Sequence, residues 1–229
     1  MIRAVIFDMY ETLITLFESS LYMGEQIAEE IGISEMKFRE IWNPSDADRT
    51  IGKRTLEDVI EEVLRVNNRY SRELFDTIIE KRKRSRIECF EHIHPEIMSL
   101  LKQLQERDIK IGLITNCYYE ERDVIVKSEL FRYFDAVCMS CEMGIMKPDT
   151  KIFHACMDEL SVEPGECLYV GDGGSKELET AQLLGMHPIQ AVWYFKESVK
   201  EHQMPKKEDF TQAESPLDIL KEIEKYKEY

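Results

Sequence analysis

No stretch of the chain approaches the ~20 consecutive apolar residues that a bilayer-spanning helix needs, so no membrane partner is expected. Positive charge is also scarce. Thirty Lys and Arg against 45 Asp and Glu give a net charge of −15, which argues against nucleic acid as a main partner. Six cysteines are scattered through the sequence. Cys138 and Cys141 form a C-x-x-C, but no second Cys pair or His pair accompanies them, so a zinc site is not expected. Such thiols fit a reducing compartment, and the expected location is cytoplasmic. The N-terminus runs straight into an apolar segment and leaves no room for a cleavable signal peptide.

What is present describes a folded globular protein. The 229 residues are 43% apolar and 33% charged, enough chain for one large domain or for one domain carrying an insert. The organising stretch lies at the start. Ala4 to Phe7 is a short apolar run, β-branched at Val5 and Ile6, and reads as a strand buried on both faces. Such a strand belongs in the middle of a parallel sheet, whose strand C-terminal ends open on the ligand crevice. Asp8 stands at that end, as a turn residue or as a nucleophile or metal ligand.

From about residue 16 to 89 the pattern turns helical. Helices are expected over 18–31, stopped by Gly32, over 34–42, over 55–66 with Thr55 as N-cap and Asp58 three residues on, and over 71–86. About seventy residues are too many for a simple crossover and read as an inserted helical bundle. The basic run from Lys81 to Arg86 reads as a solvated helix end rather than a nucleic-acid patch. Residues 43–54 read as a loop beside Trp42. Arg49, Lys53 and Arg54 give it a positive charge that would suit an anionic substrate or be plain surface charge.

From Pro95 onward strands and helices alternate. Strands are expected over 109–114, 136–139, 167–170 and 189–193. Helices are expected over 95–106, 121–130, 150–160 and 176–184, with a terminal helix opened by Ser215 and Pro216. In a parallel sheet all strand C-terminal ends share one edge, so Asp8, Thr115 and Asp172 should converge, and Lys147 can reach the same edge from its loop. Two carboxylates together suit a hard cation such as Mg²⁺, which completes its shell with water and substrate phosphate. Thr115 and the amides of the Gly173-Gly174 turn can donate to phosphoryl oxygens. Lys147 places a positive charge where negative charge develops, and a carboxylate can act as nucleophile.

These segments resemble the four motifs of the haloacid dehalogenase (HAD) superfamily, in order and over nearly the whole chain. Phe7-Asp8-Met9-Tyr10-Glu11-Thr12-Leu13 is similar to the first, residues 111–116 with Thr115 to the second, and 144–149 with Lys147 to the third. Residues 170–178, with Asp172 and Glu177, are similar to the fourth. The resemblance implies an α/β fold, a Rossmann-like doubly wound parallel sheet, with a helical cap inserted after the first motif. Residues 1–15 and 90–229 would form the core domain and 16–89 the cap. It further implies Asp8 as nucleophile, and Mg²⁺ held by Asp8, the backbone carbonyl of Tyr10, and Asp172, with Glu177 in support through a water or Lys147. Thr115, Asn116 and Lys147 would bind substrate, joined by Arg49 or Lys53 from the cap.

One position departs from the pattern. Phosphatases of the family usually carry a second Asp two residues after the nucleophile as general acid and base, and here that residue is Tyr10. A phenol with a pKa of ~10 is a poor base at neutral pH, although it can donate a proton or hydrogen bond. Tyr at this site resembles the L-2-haloacid dehalogenase branch, where the ester forms at carbon without metal, but Asp172 with Glu177 speaks for metal and phosphate. Glu11, where Gly is usual, could take over proton transfer only if its side chain faced the site. Three readings follow. The first is a Mg²⁺-dependent phosphatase of a small phosphorylated metabolite, with Asp8, Tyr10, Thr115 and Lys147 catalytic. The second is a dehalogenase-like hydrolase, and the third a HAD-fold binding protein without turnover.

Overall fold

The computed structural model describes residues 1–226. Strand β1 (Ala4–Phe7) is buried at every position. Its alternation sends Val5 and Phe7 into an apolar cluster on one face, and Ala4 and Ile6 into a second cluster on the other. The chain then leaves the sheet for helices α1 (Gly24–Ile31), α2 (Glu35–Trp42), α3 (Asp46–Thr50), α4 (Leu56–Val66) and α5 (Arg72–Glu88). It returns through α6 (Pro95–Glu106), β2 (Lys110–Thr115), α7 (Tyr119–Ile125), β3 (Ala136–Met139), α8 (Ser140–Met143), α9 (Thr150–Leu160), β4 (Cys167–Gly171), α10 (Glu177–Leu184), β5 (His187–Ala191), β6 (Thr211–Ala213) and α11 (Asp218–Glu224).

The six strands run parallel in the order β3-β2-β1-β4-β5-β6, with Phe7 level with Leu113 on one side and Val170 on the other. This is the expected Rossmann-like doubly wound α/β sheet. The chain reverses its winding between β1 and β4, and a ligand crevice forms outside the strand ends at such a switch point. Asp8 and Asp172 therefore flank that crevice. Helix α9 crosses close over β2 because Gly112 offers no side chain: a Cβ there would meet the Cys156 sulfur at 2.8 Å.

The helices between β1 and α6 have an apolar cluster of their own, built from Ile27, Phe38, Val59, Ile60, Val63 and Ile78 among others. Their starts are fixed locally. The hydroxyl of Thr55 accepts from Asp58 N at 3.2 Å while the Asp58 carboxylate accepts from Thr55 N at 2.8 Å. The hydroxyls of Ser34 and Ser71 cap α2 and α5 by accepting from Lys37 N and Leu74 N, without a returning side chain. No helix of the described residues is long and apolar enough to cross a membrane.

Several expected boundaries move. Helix α1 begins at Gly24, not near residue 18, since Ser19 donates its hydroxyl to Leu16 O and holds that stretch in a turn. Within the expected 43–54 loop, Asp46–Thr50 is helical, led by a 3₁₀ turn with Pro44 in its first turn. Helix α7 stops at Ile125, not near 130. The last strand was expected over 189–193 but spans His187–Ala191, and the three-residue edge strand β6 follows it. Helix α11 starts at Asp218, whose carboxylate accepts from Ser215 N at 2.9 Å.

Candidate active site

The polar residues at the strand ends meet in one buried group. Lys147 sits at its centre, with Nζ 2.8 Å from the Asp8 carboxylate and 2.5 Å from that of Glu177. Burial alone would lower the pKa of this lysine, but Asp8 and Glu177 outweigh it and hold Lys147 charged, above the ordinary lysine range. Glu177, at the start of α10, is fully engaged. It accepts from the Tyr169 hydroxyl at 2.9 Å and from Gly173 N at 3.1 Å. Gly171 is required beneath it, because a Cβ at that position would lie 2.0 Å from the Glu177 carboxylate. Asn116 fixes the loop that carries Lys147. Its side chain accepts from Lys147 N at 2.8 Å and donates to Lys147 O at 3.1 Å and to the Ser175 hydroxyl at 3.2 Å.

Asp172 completes the floor. One of its oxygens accepts from Gly174 N at 2.8 Å. Burial and the neighbouring Asp8 push its pKa up to about 6. Asp8, Asp172 and Glu177 each bring a carboxylate oxygen within 4.8 Å of the others, the donor set of a hard divalent cation. With both Glu177 oxygens committed to Lys147, Tyr169 and Gly173, direct ligation suits Asp8 and Asp172, and Glu177 acts by holding Lys147 and the turn. The residues present therefore fit such an ion. Thr115, at the end of the neighbouring strand, is fully buried, and its hydroxyl has no hydrogen-bond partner.

Above this floor lies a cavity of about 570 Å³, lined by Lys147 and Asn116 below and by Tyr10, Trp42, Arg82, Arg86, Tyr118 and Glu121 around it. The basic run at the end of α5 is not a solvated helix end throughout. Arg82 and Arg86 are buried, while Lys81 and Arg84 between and beside them are exposed. Phe75, Ile78, Arg82, Ser85 and Arg86 share the inward face at helical spacing. Counter-charge comes from the first turn of α7: Arg86 Nε lies 3.1 Å from Glu121, and Arg82 lies 3.8 Å from Glu121 and 3.9 Å from Glu120. Sequence reading passed over these arginines because composition does not say which face of a helix turns inward. The one available signal was their i, i+4 spacing in register with Ile78.

The structure separates the other expected residues. Tyr10 lines the cavity, and its hydroxyl is buried without a partner. Burial and the Glu121 charge raise its pKa well above that of a free tyrosine, so it remains a neutral donor. Arg49 is fully buried, its guanidinium 3.8 Å from the Trp42 ring and 4.1 Å from the Tyr118 ring. It therefore braces two cavity-wall aromatics and is not among the lining residues itself. The Tyr118 hydroxyl donates to Asp46 at 2.5 Å, tying the sheet side to α3. Lys53 is exposed and outside the cavity lining. Glu11 has φ +55° and faces away from the cavity, its carboxylate accepting from Thr15, from Leu16 N and from Gln203.

The family model for haloacid dehalogenase-like hydrolases matches residues 2–185. A phosphoserine phosphatase of Thermus thermophilus is 31% identical over 124 residues, covering 54% of this chain and 46% of that protein, so the match spans about half of each. A glyceraldehyde 3-phosphate phosphatase of Methanocaldococcus jannaschii is 24% identical over 98% of this chain and 100% of its own length. Among solved structures, a HAD phosphatase from Thermococcus onnurineus superposes with a TM-score of 0.64 at 20% identity, covering 97% of this chain and 98% of that one.

Proposed function

The chain belongs to the haloacid dehalogenase-like hydrolases, and from that premise we propose that it is a Mg²⁺-dependent phosphatase of a small phosphorylated metabolite, working through an aspartyl-phosphate on Asp8. The observation that carries this reading is the floor itself. A buried carboxylate is held against a charged lysine, a second acid lies within ligand distance, and an unpartnered buried hydroxyl stands on the next strand. A metal bound by Asp8, the Tyr10 carbonyl and Asp172 would supply positive charge for phosphate binding.

In this proposal the Asp8 carboxylate attacks phosphorus and the bond from phosphorus to the leaving oxygen breaks. Lys147 and the Thr115 hydroxyl hold the phosphoryl oxygens as negative charge builds on them. Water then attacks the phosphorus of the acyl phosphate, releasing inorganic phosphate and restoring the Asp8 carboxylate. Asn116 acts as a positioning residue through Lys147. Tyr10 is a weak replacement for the missing acid: burial and the Glu121 charge raise its pKa, so its hydroxyl gives up a proton less readily than a free phenol. The leaving oxygen takes its proton from water, and turnover should fall steeply as leaving-group pKa rises. The helices of residues 16–89 serve as a cap that encloses the cavity and limits its exchange with bulk solvent.

The test is hydrolysis of aryl and alkyl phosphates with Mg²⁺ and with EDTA. The reading expects metal-dependent cleavage that is fastest for aryl esters and absent in Asp8→Asn. Metal-independent release of halide from 2-haloacids would replace it with the carbon-bond reading, and ligand binding without either turnover would favour the binding-protein reading. Tyr10→Asp adds a direct check. A gain of about 10²-fold on alkyl esters would show that only the acid is missing.

A further inference from the structure

The cavity wall opposite the floor holds more donors than acceptors. Arg82 and Arg86 are both buried, at 4% and 3% exposure; Arg86 Nε faces Glu121 at 3.1 Å and Arg82 Nε faces Glu120 at 3.9 Å without an aligned hydrogen bond, and the Tyr10 hydroxyl has no partner. The two acids that line the same cavity are already used. Glu121 accepts from Tyr118 N at 3.1 Å and faces both arginines, while Asp46 accepts from the Tyr118 hydroxyl. Glu120, 3.9 Å from Arg82, lines a separate cavity. A buried donor without an acceptor costs free energy that a bound ligand can return by supplying oxygen atoms.

We propose that the substrate carries a second anionic group, a carboxylate or a further phosphate, and that Arg86 and the Tyr10 hydroxyl receive it, with Arg82 behind them. This rests on the phosphatase reading for the first anionic group, which Lys147 and Thr115 hold at the floor. The wall then acts as a specificity device. A planar guanidinium matches a carboxylate or phosphate, and a neutral alcohol or alkyl end would leave the donors unmet. Tyr10 acquires a role that an acid at that position could not fill, because a carboxylate there would repel the incoming anion. The loss of the usual acid and the gain of a second-anion site are in this account one change.

Calorimetry on Asp8→Asn with Mg²⁺, which binds without turnover, tests the proposal with three probes. These are 2-phosphoglycolate, ethyl phosphate, which lacks the second anion, and 1,3-propanediol bisphosphate. At least one of the two doubly anionic probes should bind about ten- to hundredfold tighter than ethyl phosphate, and the tighter one identifies the group. Adding Arg86→Met should cut that ratio to below threefold, and adding Tyr10→Phe should cut it by about threefold. If Arg86→Met does not fold, Arg86→Lys, which keeps a charge for Glu121 but loses the planar fork, should lower the ratio in the same direction. Equal binding of all three probes, or a ratio unaffected by the arginine variants, overturns the proposal. Wild-type hydrolysis of an aryl phosphate separates the two failures. Metal-dependent hydrolysis with equal binding removes only the second-anion site, whereas an arginine-dependent ratio without any hydrolysis removes only the phosphatase reading.

Discussion

The floor and the wall of the cavity are both built from buried charges, but they are built in opposite ways. On the floor, Lys147, Glu177, Tyr169 and Asn116 satisfy one another through short bonds, held by the loop after α8, the start of α10, strand β4 and the residue after β2, while the Thr115 hydroxyl beside them is left open to a ligand. On the wall, Arg82, Arg86 and Tyr10 are brought in by helix periodicity and an N-terminal turn; Glu120 and Glu121 balance the arginines at ion-pair distance without aligned hydrogen bonds at either Nε, and the Tyr10 hydroxyl has no partner. The difference teaches where to look for rigidity and where for ligand recognition. A satisfied network fixes geometry. An unsatisfied one waits for atoms that the protein does not supply.

The largest expected effect lies on the floor. Asp8→Asn should lower turnover of an aryl phosphate by roughly 10⁴-fold or more while leaving the fold intact, read by steady-state kinetics beside a thermal melt. Lys147→Met should be the most destabilising single change, at about 3–5 kcal/mol in urea unfolding, because it leaves Asp8 and Glu177 buried without their shared cation. A cost below 1 kcal/mol would mean that the floor is not a tightly coupled unit.

The wall should respond less, and unevenly along one helix. Arg86→Met should cost about 3 kcal/mol by stranding Glu121. Arg84→Ala, two residues away but 79% exposed at its side chain, should stay within about 0.5 kcal/mol. Equal effects at the two positions would return the basic run to a solvated helix end. The sharpest contrast is between two tyrosines. Tyr169→Phe removes a hydroxyl that donates to Glu177 and should cost about 1–2 kcal/mol, whereas Tyr10→Phe removes one that donates to nothing and should be neutral or slightly stabilising. Chemical denaturation of the two variants side by side reads the difference.

This contrast also explains what could be read from the chain beforehand. A parallel sheet forces strand C-terminal ends to one edge, so Asp8, Thr115 and Asp172 could be placed together from an apolar run and the residue that ends it. Lys147 followed from its loop. The capped start of α4 was legible because Thr55 and Asp58 act within a single turn. The short α3 and the edge strand β6 were not, since five and three residues carry no period to detect. The wall was hidden for a related reason. Whether an arginine on a helix faces water depends on which side of that helix packs, and Glu120 and Glu121, which make burial of Arg82 and Arg86 tolerable, lie more than thirty residues away. Arg49 illustrates the limit from the other side. Its positive charge was visible in the sequence, but its placement between Trp42 and Tyr118 comes from two segments meeting in space.

The most direct test of the account is the chemical state of Asp8 during turnover. Wild-type protein mixed with an aryl phosphate and Mg²⁺, quenched in acid within one turnover and digested, should yield a peptide containing Asp8 that is heavier by one phosphoryl group. That mass should be lost in alkali and be absent when EDTA replaces Mg²⁺. An unmodified Asp8 peptide under conditions where phosphate is being released would contradict the account, because the bond would then be breaking without the carboxylate that Lys147 holds in place as nucleophile.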